Sequence, residues 1–138
     1  MKSVYYAIEV SRDEHYKTPY LMGLKEDWPS LAKDFRHYCH LHNPSLGETW
    51  VWTAPNGQKY VHFIIDDDQK KMTNEERMHS FKMCLRSLLK SEDLKSAEKV
   101  VLPKGGFKFN DQDLDKIKTL ITDVYASNGV RIDVEAGL

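Results

Sequence analysis

Apolar residues occur along the chain in short runs and helical stripes, and together they predict alternating strands and helices. Residues Ser3 to Val10 are rich in β-branched and aromatic side chains, which predicts a buried strand. The polar segment 11–17 is expected to be a loop. Asp27-Trp28-Pro29-Ser30 then opens a helix, because proline suits a first turn and apolar residues recur afterwards at helical spacing. We expect this helix to end near Asn43-Pro44.

The clearest local pattern is a β-hairpin. Glu48 to Thr53 and Gln58 to Ile65 flank Ala54-Pro55-Asn56-Gly57, whose Asn-Gly pair supplies the left-handed turn residues. Thr73 and Glu76 then form a capping box, which predicts a second helix that continues to about Lys90.

The last third of the chain repeats the alternation of strand and helix. Glu98 to Leu102 predicts a strand, and a helix capped by Asn110 or Asp111 is expected to end near Asn128-Gly129. Val130 to Val134 closes the chain as a strand. The order β, α, β, β, α, β, α, β predicts an α/β protein with a mixed β-sheet flanked by helices in three layers. No linker or repeat interrupts it, so residues 1–138 are expected to form a single domain.

Composition and charge limit the classes of function. The chain has 138 residues and a formal net charge of −1, so it has no electrostatic footprint for duplex nucleic acid. Its apolar runs are shorter than the roughly 18 residues that span a bilayer, and Met1-Lys2-Ser3 leads straight into a strand. Cys39 and Cys84 lie on apolar helical stripes and are expected to be buried thiols. We therefore expect a cytoplasmic protein with no membrane association.

Pro103 to Asp111 is the segment that points most directly to chemistry. The apolar run Val100-Val101-Leu102 ends there in Gly105-Gly106, and a helical pattern begins at once. A helix N-terminus after a strand presents backbone N–H groups to anions, and glycine lets the main chain approach a phosphate closely. The segment therefore predicts a phosphate-binding loop, although glycines at such junctions also serve only to turn the chain.

The order and spacing of the elements from about Leu24 to Leu138 resemble a macro domain, in particular the compact type that removes ADP-ribose from acidic side chains. The matching segments are 31–35, the hairpin strands 47–52 and 57–65, the capped helix at Thr73, the loop Pro103 to Asn110, and the strand 130–134. The resemblance implies that this loop cradles ADP-ribose. The ligand-binding candidates are then Lys104, Gly105, Gly106, Phe107, Lys108 and Asn110, joined by Gly23 from the remnant of the family's first phosphate loop.

The sequence departs from this family at the residues that carry its chemistry. The N-terminal strand that reads the adenine has no counterpart, and Asp66-Asp67-Asp68 stands where the hydrolytic type has a lysine. Asn110 occupies the position of an aspartate, and an amide cannot take a proton as a carboxylate can. We therefore expect weak or no hydrolysis, with Asp66, Asp67 and Asp68 as the candidate catalytic carboxylates. The same three residues also fit a solvated loop before a capped helix.

A second hypothesis keeps the fold without the ligand. Trp50 and Trp52 share one face of a strand, so the chain is alternatively an interaction or inhibitory module that binds a protein partner through this hairpin and the Asp66 to Asp68 loop. A sheet that lacks its usual first strand exposes an edge, which predicts a homodimer. His37, Cys39, His40 and His42 suggest a zinc site, but no Cys-x-x-Cys or second histidine pair occurs elsewhere, so we expect neither a metal nor a cofactor.

Overall fold

The computed structural model describes residues 3–13, 18–92, 94 and 97–135. Within these ranges the chain forms five strands and four helices. In chain order they are β1 (Ser3–Ser11), α1 (Pro19–Asp27), α2 (Pro29–His42), β2 (Thr49–Thr53), β3 (Lys59–Asp66), α3 (Asn74–Leu89), β4 (Ala97–Leu102), α4 (Asp111–Asn128) and β5 (Ile132–Val134).

The strands form one mixed sheet in the order β2-β3-β1-β4-β5. β2 and β3 are antiparallel, whereas β1 is parallel to both β3 and β4, and β5 is parallel to β4. Helices cover both faces, because one buried cluster joins the sheet to α3 and α4 and a second joins it to α1 and α2. Alternate residues of β1, such as Ala7 and Ile8, belong to opposite clusters, as the period of a strand requires. The predicted three-layer α/β fold is confirmed.

Most predicted elements form because their local signals are strong. The capping box of Thr73 and Glu76 begins α3, and Asn110 begins α4 through a second capping box with Asp113. Gly57 adopts a φ of +90° in the hairpin turn, a conformation that favours glycine.

Cys39 and Cys84 are buried, as expected, and burial raises the pKa of the Cys84 thiol.

Helix α1 was not predicted, and it shows that Gly23, expected in the remnant of a first phosphate loop, lies in a helix instead. The Thr18 hydroxyl accepts a hydrogen bond from the Leu21 amide at 3.2 Å, and Pro19 follows at the first helical position. Leu21 and Leu24, which lie about one helical turn apart, are both buried. Gly23 lies inside this helix, where glycine is less stable than alanine by about 1 kcal/mol, so tertiary packing overrides local preference.

None of the described helices has both the length and the apolar character needed to cross a membrane.

Candidate functional site

The candidate site lies where β1, β3 and β4 end at the same edge of the sheet. β1 is the central strand of the sheet. The chain continues from β1 through α1, α2 and β2 to β3 on one side of it, and then through α3 to β4 on the other side. This arrangement is a topological switch point, where the connections that leave neighbouring strands diverge and open a crevice. Residues 12–13 after β1, 67–72 after β3 and 103–110 after β4 therefore lie at this edge of the sheet.

The glycine loop, residues 103–110, follows β4 and begins with a tight turn. The Gly106 amide donates to the Pro103 carbonyl at 3.0 Å, and Gly105 has a φ of +81° at the third position of this turn. A Cβ atom at Gly106 would lie only 2.9 Å from Cγ of Pro103. Both glycines are therefore required by the turn itself.

The second half of the loop is anchored in the core. Phe107 is 2% exposed and Phe109 is 9% exposed, and both rings pack edge-on against Phe81 of α3. Lys104 and Lys108 are exposed on the same loop. Phe107 was predicted to bind ligand, and the structure places its side chain in the core.

A buried ion pair lies beneath the loop. The Glu9 carboxylate of β1 contacts the Arg77 guanidinium of α3, and it also accepts from the Lys108 amide at 3.2 Å. Arg77 in turn donates to the Lys108 carbonyl at 3.1 Å, and the Glu9 amide donates to the Gly106 carbonyl at 2.9 Å. Burial raises the pKa of the Glu9 carboxyl, while the Arg77 charge acts in the opposite direction. The ion pair therefore joins β1, α3 and the glycine loop.

The backbone amides of the turn differ in what they bind. The Lys104 amide donates to the carboxylate of Glu135 at 3.2 Å, and the Gly106 amide is used within the turn. In the described part of the chain, the amides of Gly105 and Phe107 have no acceptor. Tyr20 of α1 flanks the turn, and its Cβ would be 3.4 Å from a Cβ placed on Gly105.

Tyr20 is neutral at physiological pH. Burial, together with the nearby Tyr60, Tyr6 and Glu135, raises the pKa of the Tyr20 phenol to about 12. Its side chain therefore adds no negative charge beside the glycine loop.

The three candidate aspartates lie across β1 from the glycine loop. Asp66 is the last residue of β3 and is paired with Ser11, whereas the glycine loop meets β1 at Glu9. The Asp66 carboxylate accepts from the Asp67 amide at 3.0 Å, and the Asp67 carboxylate accepts from the Gln69 amide at 2.9 Å. Two of these carboxylates therefore shape their own turn.

An open cleft of about 720 Å³ lies between the loops after β1 and β3 and the end of α2. Arg12 forms part of its wall and donates to the side-chain oxygen of Asn43 at 2.8 Å. Its guanidinium is also 3.9 Å from the carboxylate of the buried Asp67. The cleft is polar and carries both signs of charge.

The remaining predicted site residues are Asn110 and Gly23. The Asn110 side chain accepts from the Asp113 amide at 2.9 Å and so caps α4. Gly23 lies on α1, where nothing occupies the space that a Cβ would fill. Sequence reasoning missed Glu9 and Arg77, whose signal was a glutamate within the apolar run of β1 and an arginine within the apolar stripe of α3.

The tryptophans of β2 pack inward against α2. Trp52 is 7% exposed, and its indole N–H donates to the Asp34 carboxylate at 2.7 Å. Trp50 stacks on Tyr38 with 5.3 Å between the ring centroids. The interaction hypothesis required these two rings to form an exposed binding surface. In the structure they contribute mainly to packing against α2.

The fold is similar to those of solved structures, whereas the comparisons by sequence find no match. No family model matches the chain, and no curated protein matches it. The macrodomain of Thermus aquaticus DarG superposes with a TM-score of 0.75 at 14% identity, over 97% of this chain and 89% of that chain. A macrodomain protein from Streptomyces coelicolor gives 0.68 at 14% identity, over 97% and 88%.

The chain has a macrodomain fold.

A third similar structure was solved with a ligand. Thermosipho africanus DarTG in complex with ADP-ribose superposes with a TM-score of 0.71 at 11% identity, over 94% of this chain and 37% of that chain. At these identities the likeness extends to the macrodomain fold alone.

Proposed function

We propose that the protein binds ADP-ribose, or a related phosphorylated nucleotide, through the glycine loop, with weak or no hydrolase activity. The observation that carries the proposal is the turn at Gly105, at the switch point of the sheet, where the amides of Gly105 and Phe107 have no acceptor among the described residues. Backbone N–H groups in this arrangement are suited to phosphate oxygens. The choice of ADP-ribose is supported by the macrodomain fold and by the ligand of the Thermosipho africanus protein.

Charge and rigidity favour the same ligand class. Lys104 and Lys108 are exposed on the loop, where two ammonium groups raise the attraction for a diphosphate. The loop is also fixed before any ligand arrives, because Phe107 and Phe109 are buried and the Gly106 carbonyl is bound to β1. A preformed site spends less of its binding free energy on ordering the loop.

Calorimetric titration with ADP-ribose tests the proposal, with ADP and ribose 5-phosphate as ligand controls. Gly105→Ala places a side chain at a φ of +81°, which is strained by about 1–3 kcal/mol and displaces the turn. We expect this variant to lose affinity for ADP-ribose. Gly57→Ala is the matched control, because it carries similar strain at a φ of +90° in the distant hairpin and should bind like the wild type. A flat titration of folded wild-type protein would contradict the proposal.

Hydrolysis is tested separately from binding. Asp66→Asn, Asp67→Asn and Asp68→Asn each keep a side-chain oxygen acceptor but remove the carboxylate that a general base needs. If one aspartate is the base, its variant loses turnover of an ADP-ribosylated protein and keeps its affinity for ADP-ribose. If each of the three single variants keeps its turnover, any hydrolysis depends on other residues.

Self-association stays a prediction. β2 and β5 are the edge strands of the sheet, and neither has an outer strand partner within the described residues. Pairing of an edge with a second copy would give a homodimer. Light scattering across a range of protein concentrations would distinguish a dimer from a monomer.

A further inference from the structure

We propose that Glu9 and Arg77 are positioning residues, which hold the glycine loop in its ligand-binding conformation from beneath. The inference rests on the proposed function of that loop. Neither side chain reaches the loop surface, since Glu9 is 3% and Arg77 is 9% exposed. Both act on the ligand only through the loop backbone.

The loop is held at two neighbouring points, first by the main chain of Glu9 and then by the side chains of the ion pair. At the first, the Glu9 amide donates to the Gly106 carbonyl at 2.9 Å, which fixes the peptide that links Gly106 to Phe107. At the second, the amide of Lys108 donates to Glu9 and the carbonyl of Lys108 accepts from Arg77, at 3.2 and 3.1 Å. The Phe107 amide, one of the two proposed phosphate donors, lies between these points.

Arg77 also fixes the far side of the loop. Its guanidinium carbon is 5.1 Å from the centroid of the Phe109 ring, so the charge lies against an aromatic face. A guanidinium is suited to contact Glu9, a carbonyl and a ring at once, because its donors spread in a plane. The pair is therefore built to orient the loop backbone.

Stability alone does not account for this ion pair. A buried pair of charges loses its hydration, and replacing such a pair with apolar residues of similar volume is often neutral or stabilising. An apolar pair would fill the same space but would release the amide and the carbonyl of the exposed Lys108 to water. A role in positioning predicts that binding and stability respond differently to this replacement.

The double variant Glu9→Leu/Arg77→Met separates the two roles. We expect it to unfold at a denaturant concentration similar to that of the wild type and to bind ADP-ribose about tenfold more weakly, as a loop that is competent about a tenth of the time would. Hydrogen exchange should report the same change directly. The Lys108 amide should exchange faster, while amides in the core of β3 keep their protection.

Leu31→Ala is the matched control, because Leu31 is fully buried against the opposite face of the sheet. It should lower stability and leave both the affinity and the Lys108 exchange unchanged. The inference is overturned if the double variant binds like the wild type, or if its Lys108 amide stays protected. If wild-type protein does not bind ADP-ribose, the proposed function fails, and hydrogen exchange alone then decides whether the pair holds the loop.

Discussion

Acidification should destabilise the protein through His62 of β3. This side chain is 0% exposed, its ring lies 5.1 Å from that of Phe35, and its Nδ1 is 3.2 Å from the carbonyls of Trp50 and Tyr60. A carbonyl oxygen only accepts, so Nδ1 carries the proton of a neutral ring. Burial lowers the pKa of His62 from 6.5 to about 3, although both carbonyls favour the charged form.

The sign and size of the effect follow from proton linkage. Between pH 6.5 and 3 the unfolded chain binds a proton at residue 62 that the folded chain does not, so the free energy of unfolding falls as the pH falls. At pH 5 the loss is about 2 kcal/mol relative to pH 8, since each pH unit below the unfolded pKa contributes about 1.4 kcal/mol.

Urea unfolding at pH 8 and pH 5 measures this loss. His62→Asn removes the titrating ring and keeps an N–H donor, so the variant should lose about 2 kcal/mol less than the wild type between the two pH values. His79→Asn removes an exposed histidine and should behave like the wild type. Equal losses for His62→Asn and the wild type would refute the reasoning, whatever their absolute stabilities.

Three further outcomes are expected. Glu135→Gln removes a negative charge beside the glycine loop and should tighten ADP-ribose binding about threefold at low salt, less at high salt, by calorimetry. Trp52→Phe loses the indole hydrogen bond to Asp34 and should lower the free energy of unfolding by about 1 kcal/mol with unchanged ligand affinity. Arg77→Met alone leaves the Glu9 carboxyl buried without its partner and should cost about 3–5 kcal/mol in denaturant unfolding, which Glu9→Leu added to it should largely restore.

The parts of the fold that local chemistry specifies were predicted from the sequence. The hairpin at Asn56-Gly57, the capping box at Thr73 and the helix that begins after Asn110 each depend on residues a few positions apart. Helix α1 was missed because it has only nine residues, contains Gly23 and buries only two leucines. Thr18-Pro19 was its signal, as an N-cap followed by proline.

The candidate site was only partly predictable, because its supporting contacts join distant parts of the chain. Gly105 and Gly106 are visible as a turn between a strand and a helix. Glu9 and Arg77 are 68 positions apart, and each separately is only a charge within an apolar pattern. The two residues come together only through the order of the strands in the sheet, which places α3 beside the end of β1.

Binding and catalysis depend on different parts of this site, which explains why we expect one to survive without the other. A phosphate that binds backbone amides depends on the conformation of the loop, and many sequences with glycine at Gly105 can adopt it. Proton transfer depends on a particular side chain within reach of the reacting atom. Here the loop conformation is held by buried phenylalanines and an ion pair, whereas the carboxylates of Asp66 and Asp67 accept amides of their own turn. The proposed ADP-ribose binding therefore rests on the loop backbone of this chain, whereas hydrolysis would need a carboxylate within reach of the bound ligand.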